Sequence, residues 1–197
     1  LLSLAAAEEA GGDVRGSQSA AIIVAEPERS GQPHESIAID IRVADLSDPE
    51  QGKALVYLLN QYAKHPMGGG QPLSTYTRIN LAATLQQRSD CSVILAFDDE
   101  RAVGLCNCFE CFSTFACKPI LNIHDIYVEQ DYRGQGLAGK MMAYAEQLAR
   151  DKGCCKVTLE VLTNNMAAKT AYQAAGYAPY QLDAEFGQAE FWQKPIE

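Results

Sequence analysis

The stretch Arg133-Gly134-Gln135-Gly136-Leu137-Ala138-Gly139-Lys140 sets three glycines, an arginine and a lysine just ahead of a helical pattern. Glycine lets a backbone approach a ligand closely, and the unpaired N–H groups of a helix's first turn aim partial positive charge at an anion. Phosphate binding is the chemistry this arrangement suits. The charge pattern agrees, since residues 133–169 carry 6 basic and 3 acidic side chains in a chain of formal charge −9. Gly134, Gly136 and Gly139 satisfy G-x-G-x-x-G, with Glu160 where a dinucleotide fold places its ribose carboxylate. However, Glu129 to Tyr132 intervene between strand and glycines, and too little chain follows to complete that sheet. Gly134 to Lys140 also fits G-x-x-x-x-G-K, but Met141 stands where a P-loop needs a hydroxyl for magnesium. A plainer role is open too: Gly134 and Gly136 shaping a loop, and Gly139 allowing close packing. Leu137, Met141, Ala145 and Leu148 form a buried helix stripe in either case.

The elements that must position this loop can be traced from the patterning. Ile37 to Val43 alternates like a half-buried strand. Asp48 and Pro49 start a helix reaching Lys64, His65 to Pro72 forms a glycine-bearing loop, and a second helix lies near Ser74 to Arg88. Cys91 to Phe97 and Ala102 to Phe115 read as a hairpin turning at Asp98 to Glu100. Ile120 to Val128 reads as a buried strand, Gly136 to Lys152 as a helix, Lys156 to Leu162 as a strand and Asn165 to Ala175 as a helix. Ala189 to Gln193, with the one tryptophan, Trp192, reads as a last strand. Antiparallel strands followed by a βαβα unit predict a mixed α/β sheet.

A chain of 197 residues with 47% hydrophobic residues suits one sizeable domain. Residues 37–197 read as that domain. Residues 1–36, with 6 acidic and 2 basic residues, read as a weakly ordered N-terminal extension. Leu1 to Ala7 is similar to the end of a signal peptide's apolar region but has no basic flank. Net acidity argues against a nucleic-acid partner, and no apolar run approaches the roughly 18 residues of a spanning helix, so no membrane partner is expected. Seven cysteines, an odd number in a chain with its own core, read as reduced thiols and a cytoplasmic location. The spacing of Cys106, Cys108, Cys111 and Cys117 does not suit paired metal knuckles, so no metal is expected, and Cys106 and Cys108 read as small buried hydrophobes. Cys154 and Cys155 receive no role.

A third reading of the loop covers the most residues. Arg133-x-x-Gly136-x-Ala138 resembles the pyrophosphate loop of the GCN5-related N-acetyltransferases, the GNAT superfamily. Asn165-x-x-Ala168-x-x-x-Tyr172-x-x-x-Gly176-Tyr177 is similar to that superfamily's second signature, in the right order and at the right distance. The resemblance is clearest over residues 120–180. Ile126-Tyr127-Val128 with Tyr132-Arg133-Gly134-Gln135-Gly136 looks like the diamine and polyamine acetyltransferase branch.

The resemblance implies a GNAT-like fold: a twisted, mostly antiparallel sheet with splayed central parallel strands and about four flanking helices. It implies acetyl-CoA as cosubstrate and acetyl transfer to a primary amine of a small molecule by direct attack in a ternary complex; a homodimer is compatible with it. Backbone groups of Ile126, Tyr127 and Val128 are expected to meet the pantetheine arm, with the Val128 amide near the thioester oxygen. Arg133, Gly134, Gln135, Gly136, Leu137, Ala138, Gly139 and Lys140 are expected to hold the pyrophosphate, and Asn165 and Ala168 to touch the cofactor further along. Tyr172 matches the family's general acid, suited by its phenol to protonate a leaving thiolate. His124 is the expected base, by parity with Ile126 and Val128, with Glu129 as fallback. The polyamine branch has two carboxylates where this chain has His124 and Asp125, which argues against polyamine specificity and keeps a base in place. Asp125 and Glu160 are expected on the substrate side. The rivals are a dinucleotide-dependent oxidoreductase and a non-catalytic acetyl-CoA-binding module.

Overall fold

The computed structural model describes residues 38–181, 185 and 189–196. Expectations for the N-terminal extension therefore lie outside the described residues. Strand β1 (Asp40–Val43) leads to helix α1 (Pro49–Lys64), a 3-10 turn (Pro66–Gly68) and helix α2 (Thr75–Gln86). Next come β2 (Cys91–Asp98), β3 (Arg101–Ser113) and β4 (Lys118–Val128), then a 3-10 turn at Gln130–Tyr132. Helix α3 (Leu137–Asp151), strand β5 (Val157–Leu159) and helix α4 (Met166–Ala174) follow. The sheet order is β1-β2-β3-β4-β5, antiparallel except for the parallel β4–β5 pair. It is the mixed, mostly antiparallel sheet with four helices that the patterning predicts.

Alternation along the strands sends side chains to two separate cores. Ile94, Cys106, Leu121, Ile126 and Val128 meet Leu137, Met141 and Ala145 of α3 and Ala168 and Tyr172 of α4 on one face. Val93, Leu95, Leu105 and Tyr127 meet Leu55, Leu58 and Tyr62 of α1 and Leu85 of α2 on the other. Helix α3 lies close on its face because Gly104 has no side chain, and a Cβ there would stand 2.7 Å from Met141 Sδ. Asp48 caps α1, Ser74 caps α2 and Asn165 caps α4, each accepting a first-turn N–H.

Two expectations need correction. Ala189 to Gln193 is not a strand: the segment makes no ladder, and Phe191 and Trp192 stand 45% and 76% exposed. The strand expected over Lys156 to Leu162 is cut to Val157–Leu159, because β4 leaves it unpaired beyond that point.

Candidate active site

β4 and β5 pair over three positions, Leu121 with Val157, Asn122 with Thr158 and Ile123 with Leu159. Past them β4 runs on through His124 to Val128, and on its β5 side no described strand completes the ladder. The cause of this divergence lies on the other side of β4. Asn107 pairs with Asp125 and Cys108 with Ile123, so His124 is an extra residue, a β-bulge that kinks and twists the strand. A slot therefore opens between the C-terminal half of β4 and the chain after β5.

The bulge also resets side-chain parity. Leu121 and Ile123 before it, and Ile126 and Val128 after it, all face the α3/α4 core. The His124 ring instead lies edge-on to Phe109, at 5.6 Å between centroids, and Phe109 packs with the α1/α2 core. The expected parity of His124 with Ile126 and Val128 is thus wrong, because an inserted residue breaks a period of two.

On that same face a polar network surrounds His124. Its Nδ1 is 3.3 Å from Asp125 Oδ2, an ion-pair contact rather than an aligned hydrogen bond. Asn107 Nδ2 donates to the same oxygen at 2.9 Å. Asn122 Nδ2 donates to Thr158 Oγ1 at 3.2 Å and reaches both Glu160 oxygens at 3.4 Å. The Asp125 carboxylate holds the imidazole above its ordinary range, with Glu160 adding to the effect and burial opposing it. His124 keeps 41% of its side chain exposed, whereas Asp125 keeps 14%. A half-open imidazole backed by a carboxylate is the result.

At the far end of β4 the glycine loop takes the shape anion binding asks for. Gly134 and Gly136 sit at φ +72° and +77°, the left-handed region that glycine alone occupies cheaply. Gly136 is the N-cap of α3 and offers no side chain, so the first-turn amides stay uncapped, unlike those of α1, α2 and α4. A Cβ on Gly136 or Gly139 would meet nothing within 4 Å. Gly139 is therefore not there for close packing, and open space lies over the loop.

The charged side chains near the loop are used differently from expectation. Arg133 Nε donates 2.8 Å to the Val128 carbonyl, and its guanidinium lies 5.4 Å from the Tyr127 ring centre. It braces the end of β4. Gln135 Nε2 bonds back to the Asp131 carbonyl at 2.8 Å. Lys140 is exposed one turn into α3. Tyr132 Oη donates to Asp98 in the β2–β3 hairpin, and Arg101 lies across the Tyr132 ring. This clasp ties the loop to the sheet through partners 34 residues apart, which no local pattern reveals.

Tyr172 is buried, 4% exposed, on the face opposite His124, with its ring 6.1 Å from that of Tyr177. It helps line a cavity of about 390 Å³ with Leu159, Val161 and Tyr177. Asn165 and Ala168 are buried in the α4 wall, Asn165 Oδ1 accepting from the Ala168 amide at 3.2 Å. Tyr127 packs on Tyr62, so its side chain turns from the slot; Ile126 and Val128 likewise leave only backbone to line it. Glu129, the fallback base, receives the Tyr127 hydroxyl at 3.4 Å, and its Oε1 is buried without a partner among the described residues. The structure thus gathers His124, Asp125 and Glu160 on one face, the loop at the end of the slot, and Tyr172 on the other face.

Asn107, Asn122 and Thr158 also belong to this arrangement and are not among the residues that the sequence patterns single out. An asparagine between two cysteines in an apolar run, as at Asn107, is a usable signal, since a buried amide needs a partner. Cys106 and Cys108 are buried with sulfurs 3.7 Å apart. Among the described residues, no cluster of three His, Cys, Asp or Glu could hold a metal, and no helix is long and apolar enough to cross a membrane.

A slot between diverging parallel strands, closed at one end by an uncapped, glycine-rich helix start, has the form of a site for an extended ligand that ends in a phosphate. The chain matches the model of the Acetyltransferase (GNAT) family over residues 57–177 and belongs to that family. Residues 1–52 also match a family of unknown function (DUF1028). A thialysine N-epsilon-acetyltransferase of Bos taurus is 43% identical over 54 residues, 27% of this chain and 32% of the relative. The chain thus matches about a third of that relative's length. The fold is shared with a possible acetyltransferase from Clostridium difficile 630, at TM-score 0.66, 18% identity, 81% of this chain and 98% of the other. It is also shared with AAC(6')-Iy in complex with the bisubstrate analogue CoA-S-monomethyl-acetylneamine, at TM-score 0.63 and 17% identity, covering 80% of this chain and 99% of the other.

Proposed function

We propose that this protein is an acetyl-CoA-dependent N-acetyltransferase that acetylates a primary amine of a small molecule by direct attack in a ternary complex. The observation that carries the reading is the slot opened by the His124 bulge, with the uncapped α3 start at its end. The pantetheine arm pairs with backbone groups of Ile126, Tyr127 and Val128 as an added strand would. Amides from Gly134 through Gly139 receive the pyrophosphate. Arg133 holds the end of β4 in register for the arm, and Lys140 supplies charge near the phosphates.

The acceptor approaches from the His124 face. An alkylammonium has a pKa near 10.4, so it must lose a proton before attack. His124, steadied by Asp125, accepts that proton. The amine nitrogen then bonds to the thioester carbonyl carbon, and the Val128 amide stabilises the oxyanion. On collapse the carbon–sulfur bond breaks, and Tyr172 gives its proton to the departing thiolate. Asp125 and Glu160 make the acceptor side anionic, which favours a cationic amine. A diamine-like or amino-acid amine fits this face, as the partial likeness to a thialysine acetyltransferase supports; the aminoglycoside-derived analogue held by a structural neighbour makes an aminoglycoside the next class to try.

The test is release of free CoA thiol from acetyl-CoA across a panel of diamines, amino acids and aminoglycosides. Amine-dependent thiol release is expected. Tight acetyl-CoA binding without release for any amine would make the domain a sensor instead.

A further inference from the structure

Asn107 is 2% exposed, lies on β3 directly opposite Asp125, and has no counterpart in the chemistry described so far. Its Nδ2 donates to Asp125 Oδ2 at 2.9 Å, the same oxygen that lies 3.3 Å from His124 Nδ1. Its Oδ1 is buried and unpartnered among the described residues. A buried acceptor left unsatisfied is a net cost to folding. The donor end is turned to the carboxylate because the reverse orientation would set oxygen against oxygen. This cost is accepted on a β-strand position where valine or leucine would pack freely.

We infer that Asn107 is a positioning residue that holds the Asp125 carboxylate against His124, completing an Asn–Asp–His relay across the β4 bulge. The inference rests on the reading of His124 as the base. Geometry makes the relay hinge on the bulge: because His124 is the extra residue, it and Asp125 approach the same side of β3, and Asn107 is the β3 residue beneath them. Without Asn107, nothing else described donates a side-chain hydrogen bond to that oxygen of Asp125. The carboxylate, partly open to solvent, is then free to turn away from the imidazole. The groups facing the pair are Glu160, from the segment after β5, beside His124, and Cys91 on β2 near Asp125, while Cys106 acts on Asp125 from the opposite face of β3. Burial pushes the Cys91 thiol up to about 12, and the contact with Cys108, helped by burial, holds Cys106 well above its ordinary range, so both stay neutral as His124 titrates.

The chain has 3 histidines, so the ring protons of His124 can be followed by NMR in the 197-residue chain with His65 as internal control. In Asn107→Leu, the His124 midpoint is expected to fall by about half a pH unit or more as the ion pair loosens. Turnover should drop about fivefold or more with the KM for acetyl-CoA unchanged. Asn107→Ser, smaller and still polar, should move the midpoint in the same direction and serves where the leucine variant fails to fold. An unmoved His124 midpoint in a folded variant overturns the inference. If the midpoint falls but His124→Gln leaves the acid limb of the rate profile intact, the relay stands and the assignment of His124 as base fails.

Discussion

His124 and Tyr172 carry opposite ends of the proposed proton traffic, and each can be removed without emptying the core of a large apolar group. The neighbouring Asp125 favours the imidazolium, so the acid limb of the rate profile is expected above pH 6.5, with activity falling as pH drops through it. In His124→Gln that limb should flatten in a pH series of kcat; an unchanged limb moves the role to Glu129. The same ion pair has a stability signature of the opposite sense. A histidine whose folded pKa is raised contributes stability that is fully present below its unfolded pKa and is lost as pH rises through the folded one. Tyr172→Phe keeps the ring against Tyr177 and removes the proton donor. Turnover is expected to fall about 10²-fold with the acetyl-CoA KM changed less than about twofold, read from steady-state kinetics. Near-normal turnover would remove Tyr172 from the mechanism.

At the scale of elements, the site depends on two departures from regularity: a bulge in β4 and a helix start without a side-chain cap. The bulge splays the strands, and the bare N-terminus of α3 is held at the end of the slot by contacts remote from it. Tyr132 and Asp98 form one such contact, tying the turn before the glycines to the β2–β3 hairpin. Asp98→Ala frees the turn and leaves every group of the chemical step in place. The expected result is about a fivefold rise in acetyl-CoA KM, a part of the worth of one charge-assisted hydrogen bond, with kcat retained. A fall in kcat at unchanged KM would show that the hairpin governs the chemical step instead.

On the scale of the whole molecule, the described core runs from β1 to α4 and the family match from residue 57 to 177. A chain beginning at Ala38 is expected to keep its midpoint of thermal unfolding within a few degrees and to retain kcat/KM. A large loss would place part of the active unit in the removed segment. Legibility from sequence followed periodicity. Long amphipathic or alternating runs, such as α1, α3 and the β2–β3 hairpin, announce themselves because one face is buried. The glycine loop was readable because φ above zero demands glycine. His124 is legible by type but not by face, because a one-residue bulge leaves no mark in an alternating pattern. Asn107, Asn122 and Thr158 are not legible in sequence because their partners are 18 to 38 residues away and meet only once the register is fixed.

The central claim is that main-chain donors from Gly134 to Gly139 bind the diphosphate of acetyl-CoA at the end of the β4–β5 slot. Titration of the ¹⁵N-labelled protein with CoA, followed by amide shifts, tests it most directly. Saturable shifts should be largest at residues 134–139 and at Ile126 to Val128, and NAD should leave those amides unmoved. Shifts confined to other parts of the chain, or equal responses to NAD, would contradict the account.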